Sequence, residues 1–375
     1  MLERIEIENY RSLRKVSLEL GRITVVTGRN GTGKSNLYNA LRLLQAAAEA
    51  TLSATILAEG GMPSALWAGP RNKGSVRMRL AAHFEDLTYE LQAGLSQVFT
   101  DPGHIPLMLL PSPCQDPVQP FALDPEIKQE YLYLGPTRRP STTVVDRAGA
   151  AATLINQNGE RQQLVASIDP AESLLAQVTD PGAYPELNLV RRSLLGWRFY
   201  HHFDTAPTAL ARHSQPGVRV NALAPDGRDL AAALTTLAER GDVGPVEAAV
   251  SAAFPGYGLL LDVPQPGRFG VGLSAPGLNR HLTASELSDG QLRFLCLAAA
   301  LLSTRPPELL VLNEPETSLH PEAVTALIPL LDRAAEYSQV WVTTHDRRIA
   351  TELGSNAVKV DLEMTNGETI ATASR

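Results

Sequence analysis

Cysteine is almost missing from this chain. Two occur in 375 residues, Cys114 and Cys296, far apart and in no CxxC pair. That excludes a disulfide framework and a structural zinc site. Lysine is nearly as scarce, with Lys15, Lys34, Lys73, Lys128 and Lys359 only. There is no excess of positive charge: the net charge is −7, so no global field draws nucleic acid in and any such contact must be local. Long hydrophobic runs are missing too. The apolar stretch 295–302 is far short of the ~20 residues a membrane span needs. The opening MLERIEIENYRSLRK alternates charge with isoleucine and has no signal-peptide core. No internal repeat or sustained heptad run is visible. Hydrophobic residues at 44% and charged residues at 19% are an ordinary globular balance, which argues against disordered and fibrous classes. A soluble, cytoplasmic chain of two or three structural units, with no membrane partner, is expected.

The two ends of the chain are the most regular. Ile5 and Ile7, then Val16, Leu18 and Leu20, alternate with polar residues as half-buried strands do. Residues 23–27 form a nearly continuous apolar run, expected for a central buried strand. Leu37, Leu41, Leu44 and Ala48 then recur at helical spacing, predicting a helix over 34–49. Glycine and proline predict an irregular loop over 51–75. Strands are expected at 76–84 and 88–93, and a proline-rich excursion at 100–125. The middle reads as more helical: Asp169-Pro170-Ala171-Glu172 has the cap, proline and early acid of a helix start, and Asp226-Gly227-Arg228-Asp229 precedes another. From 282 the α/β rhythm returns, with a helix after Ser288, a strand at 309–312, a helix at 321–337 and a strand at 339–343. The expected architecture is α/β: one discontinuous domain, 1–135 with 280–375, interrupted by an inserted lid or helical lobe at 136–279.

Four segments carry chemistry. Gly28-Arg29-Asn30-Gly31-Thr32-Gly33-Lys34-Ser35 fits GxxxxGK[ST] between a buried strand and an amphipathic helix. Glycines let backbone N–H groups turn inward around a phosphate, and the helix N-terminus adds partial positive charge. Lys34 is expected at the β/γ-phosphates and the Ser35 hydroxyl on Mg²⁺. The apolar strand 309–312 ends in Asn313-Glu314, where the P-loop class delivers an acid to the metal and where Glu314 is placed to polarise an attacking water. Leu287-Ser288-Asp289-Gly290-Gln291 offers a hydroxyl, a glycine N–H and a helix dipole to an anion. His345 follows a strand in Thr343-Thr344-His345-Asp346. Taken singly, the last three also fit a plain strand end, a helix cap and a structural histidine.

Together, in this order and spacing, they resemble the ABC-type P-loop ATPases of the SMC and RecF branch. Ile7-Glu8-Asn9-Tyr10-Arg11-Ser12-Leu13 looks like that branch's first strand, and Gly28 to Asn36 like its GxNGxGKSN loop. LSDGQLRFL from Leu287 resembles its signature helix, NEPETSLHP from Asn313 its Walker B and D-loop, and TTH from Thr343 its H-loop. The stretch 197–237, with WRFYHHFD and DGRDLAAAL, resembles compact standalone RecF-like ATPases without coiled-coil arms. The resemblance implies an ATPase head with a mixed sheet, an antiparallel β subdomain and a largely helical insertion. It implies ATP with Mg²⁺, and a homodimer closed around two nucleotides. Gly28, Arg29, Asn30, Gly31, Thr32, Gly33, Lys34, Ser35 and Asn36 would cradle phosphate in cis, with Arg11 nearby, and Ser288 and Gly290 would act in trans. Glu314 would be the general base, His345 the γ-phosphate sensor, and Ser35 and Asn313 the metal ligands. Most of the branch carries aspartate where this chain has Asn313; a neutral amide supplies no charge to the cation, so slow turnover is expected.

The resemblance further implies an ATP-driven switch acting on DNA in repair, recombination or defence. Arg138 with Arg139, Arg191 with Arg192, and Arg198 with His201 and His202 are the local basic clusters available to it. The alternative is a regulatory module that holds a protein effector, such as a nuclease or toxin, without touching DNA. A transporter ATPase subunit is disfavoured, because the opening and NEPETSLHP resemble the other branch.

Overall fold

The computed structural model describes residues 1–70, 76–95, 121–165, 168–353 and 357–374. Its layering follows from apolar alternation on three parallel strands, β3 (Ile23–Gly28), β15 (Leu309–Asn313) and β16 (Gln339–Thr343). Successive strand side chains point to opposite faces. Val26, Leu309, Val311 and Trp341 therefore enter one core, while Val25, Leu310, Leu312, Val340 and Val342 enter the other. A strand buried on both faces has to be continuously apolar, as these are. The sheet runs β10 (Arg198–Tyr200), β15, β16, β3, β17 (Ala357–Thr365), β18 (Glu368–Ser374), parallel except for the last pair.

On one face α1 (Lys34–Ala48) lies against β3, β15 and β16 and also touches β1 (Leu2–Tyr10) and β4 (Met78–Phe84). Beyond it an antiparallel sheet runs β2 (Leu13–Glu19), β1, β4, β5 (Leu87–Leu95), β6 (Pro125–Leu134), β7 (Thr143–Ala148), β8 (Ala151–Ile155), β9 (Arg161–Val165). On the opposite face pack α6 (Leu230–Glu239), α7 (Gly244–Ala253), α8 (Asp289–Leu301) and α9 (Pro321–Ala335), their apolar stripes closing the second core. A small sheet flanks these helices: β11 (Gln215–Pro216), β13 (Arg268–Ser274) and β12 (Gly258–Gln265), with β14 (Leu282–Thr283) on β13. The mixed sheet and the antiparallel subdomain agree with the expected architecture.

Three segments differ from the sequence reading. The loop expected over 51–75 contains α2 (Leu52–Ala58) and α3 (Met62–Ala65), because Leu52 and Ile56, four apart, dock into the core; Gly60 and Gly61 mark only the break between them. Residues 71–75 and most of the proline-rich excursion lie outside the described residues. Asp169 does not start a long helix. It accepts from the Ala171 N–H in a local turn, and Ser173 caps the short α4 (Leu174–Gln177), followed by α5 (Pro185–Gly196). Residues 136–279 are as much strand as helix. β7, β8 and β9 extend the antiparallel sheet, since Val145 and Leu154 pair inward over its core, and β10 is the edge strand of the parallel sheet.

Candidate nucleotide site

The turn between β3 and α1 is shaped by glycine where nothing else fits. Gly28, Gly31 and Gly33 have φ of 152°, 83° and 103°, conformations that L side chains rarely adopt. A Cβ at Gly33 would lie 2.3 Å from Thr369 Oγ1, and one at Gly28 would lie 2.6 Å from Thr32 Oγ1. α1 begins at Lys34 with no side-chain cap and no acid in its first turn, so its dipole end is unneutralised. The Lys34 side chain is buried, and its ammonium donates to the carbonyls of Gly28 (2.8 Å) and Arg29 (3.3 Å). Arg29 and Asn30 are exposed at the loop tip, as is Ser35. The loop is braced from the far end of the chain: Thr369 Oγ1 donates to Thr32 O (2.9 Å) and is 2.7 Å from Ser12 Oγ, which accepts from Asn36 Nδ2 (2.8 Å).

Parallel pairing puts the ends of β15 and β16 beside this loop, with Asn313 opposite Thr343 and Thr343 opposite Val26. Glu314 follows in a left-handed conformation, φ 49°, a strained state for a residue with a side chain. Its N–H donates to Thr343 O (2.8 Å), and its carbonyl accepts from Thr317 N (3.1 Å) and from the buried Arg293 guanidinium (3.3 Å). The carboxylate thereby comes 3.8 Å from Lys34 Nζ and 4.0 Å from His345 Nδ1. Lys34, Glu314 and His345, far apart in sequence, are thus brought together.

Glu316, absent from the sequence reading, organises the H-loop. Its buried Oε1 accepts from Thr344 Oγ1 (2.7 Å), His345 N (2.9 Å) and Asp346 N (3.3 Å), and lies 3.2 Å from His345 Nδ1. The backbone donors that this carboxylate binds fix the turn from which the His345 ring projects. Only an acid two residues beyond Glu314 hints at this in the sequence. A cavity of about 520 Å³ lined by Gly28, Arg29, His345, Asp346 and Lys359 opens beside these groups.

Asn313 is buried, its amide held at both ends. Its Oδ1 accepts from the Thr343 hydroxyl, and its Nδ2 donates to His201 Nδ1 (2.6 Å). Burial lowers the His201 pKa, which keeps that nitrogen free to accept. Among the described residues no cluster of three or more His, Cys, Asp or Glu is present to hold a metal. Two neutral oxygens, Ser35 Oγ and Asn313 Oδ1, fit a magnesium ion bound chiefly through substrate phosphates and water.

The signature segment lies apart from the phosphate loop. Ser288 is the exposed cap of α8, accepting from Gln291 N (3.2 Å), with Gln291 bonding back to Ser288 N (3.0 Å). No hydrogen bond or ion pair among the described residues joins 288–290 to the phosphate loop. The segment is held by Arg212, a second residue that sequence reasoning missed. This buried guanidinium donates to the carbonyls of Thr205 (2.9 Å), Ala284 (3.1 Å) and Leu287 (2.6 Å) and to Asp289 (2.5 Å). Arg11 is directed elsewhere than expected: its guanidinium pairs with Glu59 at 3.1 Å, next to the Tyr10 hydroxyl that donates to the same carboxylate.

Residues 122–349 match the family described as "AAA domain, putative AbiEii toxin, Type IV TA system", and residues 1–79 match "AAA ATPase domain". Among solved structures, an SMC head bound to the C-winged helix domain of ScpA superposes with a TM-score of 0.53 at 13% identity, covering 100% of this chain and 98% of that one. An Smc head with an extended coiled coil, bound to a ScpA C-terminal domain and derived from Pyrococcus furiosus, gives 0.53 and 13%, covering 100% and 96%. At that identity the likeness speaks for the fold, the ABC-type P-loop head. Because the first match spans more than half of the sequence, the chain belongs to that AAA-domain family and is an AAA-family P-loop ATPase with the fold of an SMC head.

Proposed function

We propose that this ATPase is a dimerising switch whose two copies close around two ATP molecules and act on DNA. The observation that carries the reading is the separation within one chain: Lys34, Glu314 and His345 converge at the phosphate loop, while Ser288 stands exposed elsewhere, with Gly290 half-buried beside it. A second copy supplies the missing face. The loop N–H groups and the α1 dipole bind the β- and γ-phosphates, and Lys34 exchanges its contacts to Gly28 and Arg29 for phosphate oxygens. Glu314 takes the proton of the attacking water, whose oxygen bonds to the γ-phosphorus as the bond to the β,γ-bridging oxygen breaks, giving ADP and phosphate. His345, oriented by Glu316, faces the γ-phosphate. Magnesium held at Ser35 and Asn313 would neutralise phosphate charge, and the uncharged Asn313 makes for slow hydrolysis, suited to a clamp.

The wording of the matched family favours a second reading, in which the ATP-bound dimer holds or releases a toxin-like protein effector. Light-scattering mass of Glu314→Gln, with and without Mg-ATP and with a short duplex, separates them. A dimer that appears with ATP and retains DNA supports the clamp; a dimer indifferent to DNA at low salt favours the effector reading; a monomer throughout removes the switch.

A further inference from the structure

Many described arginines of this acidic chain are neutralised in place, among them Arg79, Arg147, Arg212, Arg219 and Arg280. Arg138, Arg139 and Arg161 are in none among the described residues, and all three line one cavity of about 370 Å³. It lies on the outer face of the antiparallel sheet, over β7, β8 and β9. Arg161 stands opposite Ile155, and Asp146 opposite both Thr153 and Tyr131.

The cavity is built rather than incidental. The Arg138 guanidinium lies over the buried Tyr131 ring, 3.7 Å from its centroid, a cation–π contact that holds the head group in place. The loop carrying Arg139 is closed on itself: the Arg139 carbonyl accepts from Thr143 Oγ1 (2.8 Å) and Thr142 N (3.0 Å), and its N–H donates to Thr142 Oγ1 (3.1 Å). Pre-oriented donors lose less freedom when a ligand binds. Three guanidinium charges against the one Asp146 carboxylate in the wall leave a local excess of positive charge, suited to a single phosphate group rather than a long track. Glu90, opposite Tyr131 on β5, feels Arg138 electrostatically but is paired with Arg79. The Thr143 and Thr153 side chains also line the cavity.

We propose that Arg138, Arg139 and Arg161 form a second phosphate-binding site, separate from the nucleotide loop, which takes the phosphate of a nucleic-acid strand. The strand as source rests on the DNA reading above; the phosphate chemistry does not. Guanidinium forks match phosphate oxygens in pairs, and a cavity of this size admits one nucleotide unit.

Two probes test the site and its source separately. A 5′-phosphorylated single-stranded 12-mer is titrated, by fluorescence anisotropy, into the Glu314→Gln chain with Mg-ATP. Pyrophosphate is titrated by calorimetry into Lys34→Ala, where the nucleotide loop is disabled. Arg161→Glu is the principal variant, because its side chain is exposed; Arg138→Glu, which also removes the contact with Tyr131, is the second. Strand binding weakened about tenfold or more, with a salt slope about 0.7 shallower for the neutral Arg161→Ala, supports both site and source. No strand binding, but pyrophosphate binding that Arg161→Glu abolishes, supports the site and removes the DNA reading. Strand and pyrophosphate binding untouched by both variants overturns the site while leaving that reading intact. Binding of neither probe by the parent chains overturns the site as well.

Discussion

Replacing Glu316 by alanine tests whether the H-loop is held by one carboxylate. In the native chain Oε1 satisfies a hydroxyl and two backbone N–H groups and faces the His345 ring. Hydrogen bonds to charged groups are each worth about 1.5–3 kcal/mol, and donors left buried without a partner cost about 1–3 kcal/mol. Losses of this kind are not additive, and Thr344 can rotate its hydroxyl, so about 4 kcal/mol is expected. At about 2.1 cal/mol/K per residue, unfolding of the whole chain as one unit carries about 0.8 kcal/mol/K, and the melting temperature should fall by about 5 °C. Glu316→Gln divides the effect. Its amide oxygen can replace Oε1, and Oε2, which has no hydrogen-bond partner, becomes the amide nitrogen. Stability should then fall by only about 1 kcal/mol, while the charge beside His345 is gone. ATP turnover should drop at least tenfold in Glu316→Gln with KM little changed, because the loss lies at the reacting phosphate. Differential scanning calorimetry and steady-state phosphate release read the two effects. An alanine variant as stable as the parent, or a glutamine variant of full activity, would refute the reasoning.

Gly33→Ala combines a φ of 103° with a 2.3 Å approach to Thr369 Oγ1; a loss of about 2–4 kcal/mol in stability and failure to bind a fluorescent ATP analogue are expected, with Thr369→Ala relieving part of it in a double-mutant cycle. Asn313→Asp should lower the magnesium concentration needed for half-maximal hydrolysis several-fold, and an unchanged requirement would count against a place at the metal. Ser288→Arg should block ATP-dependent dimerisation in light scattering and leave nucleotide affinity intact; if affinity falls as well, Ser288 does not act in trans. Arg212→Ala should destabilise the chain by about 3 kcal/mol through the carbonyls it leaves unpaired and should lower dimer formation more than monomer nucleotide binding, as measured on the same preparation.

What could be read in advance follows from the range of the interactions involved. β3, the phosphate loop and α1 are written in consecutive residues, with apolar run, glycines and helical spacing each setting its own stretch. The same holds for β15, α9 and β16. Glu316, Arg212 and Thr369 escaped because each acts across a distance in sequence that no periodicity encodes: Thr369 reaches Thr32, and Arg212 reaches Asp289. Arg11 resembled a phosphate ligand by position, yet a carboxylate on α2's C-terminal side, Glu59, holds it. Short helices such as α2 were hidden by neighbouring glycines, and the strand character of 143–165 by polar residues on its outward face.

The brace on the nucleotide loop has a consequence for the chain during synthesis. β3 is made well before both its neighbours in the sheet, β16 and β17, which come after residue 338, and Thr369 is later still. A ribosome carrying most of this protein therefore holds a phosphate loop with no flanking strands and no seat. Nascent chains should ignore ATP until Thr369 has emerged, so a copy still short of it would not sequester nucleotide.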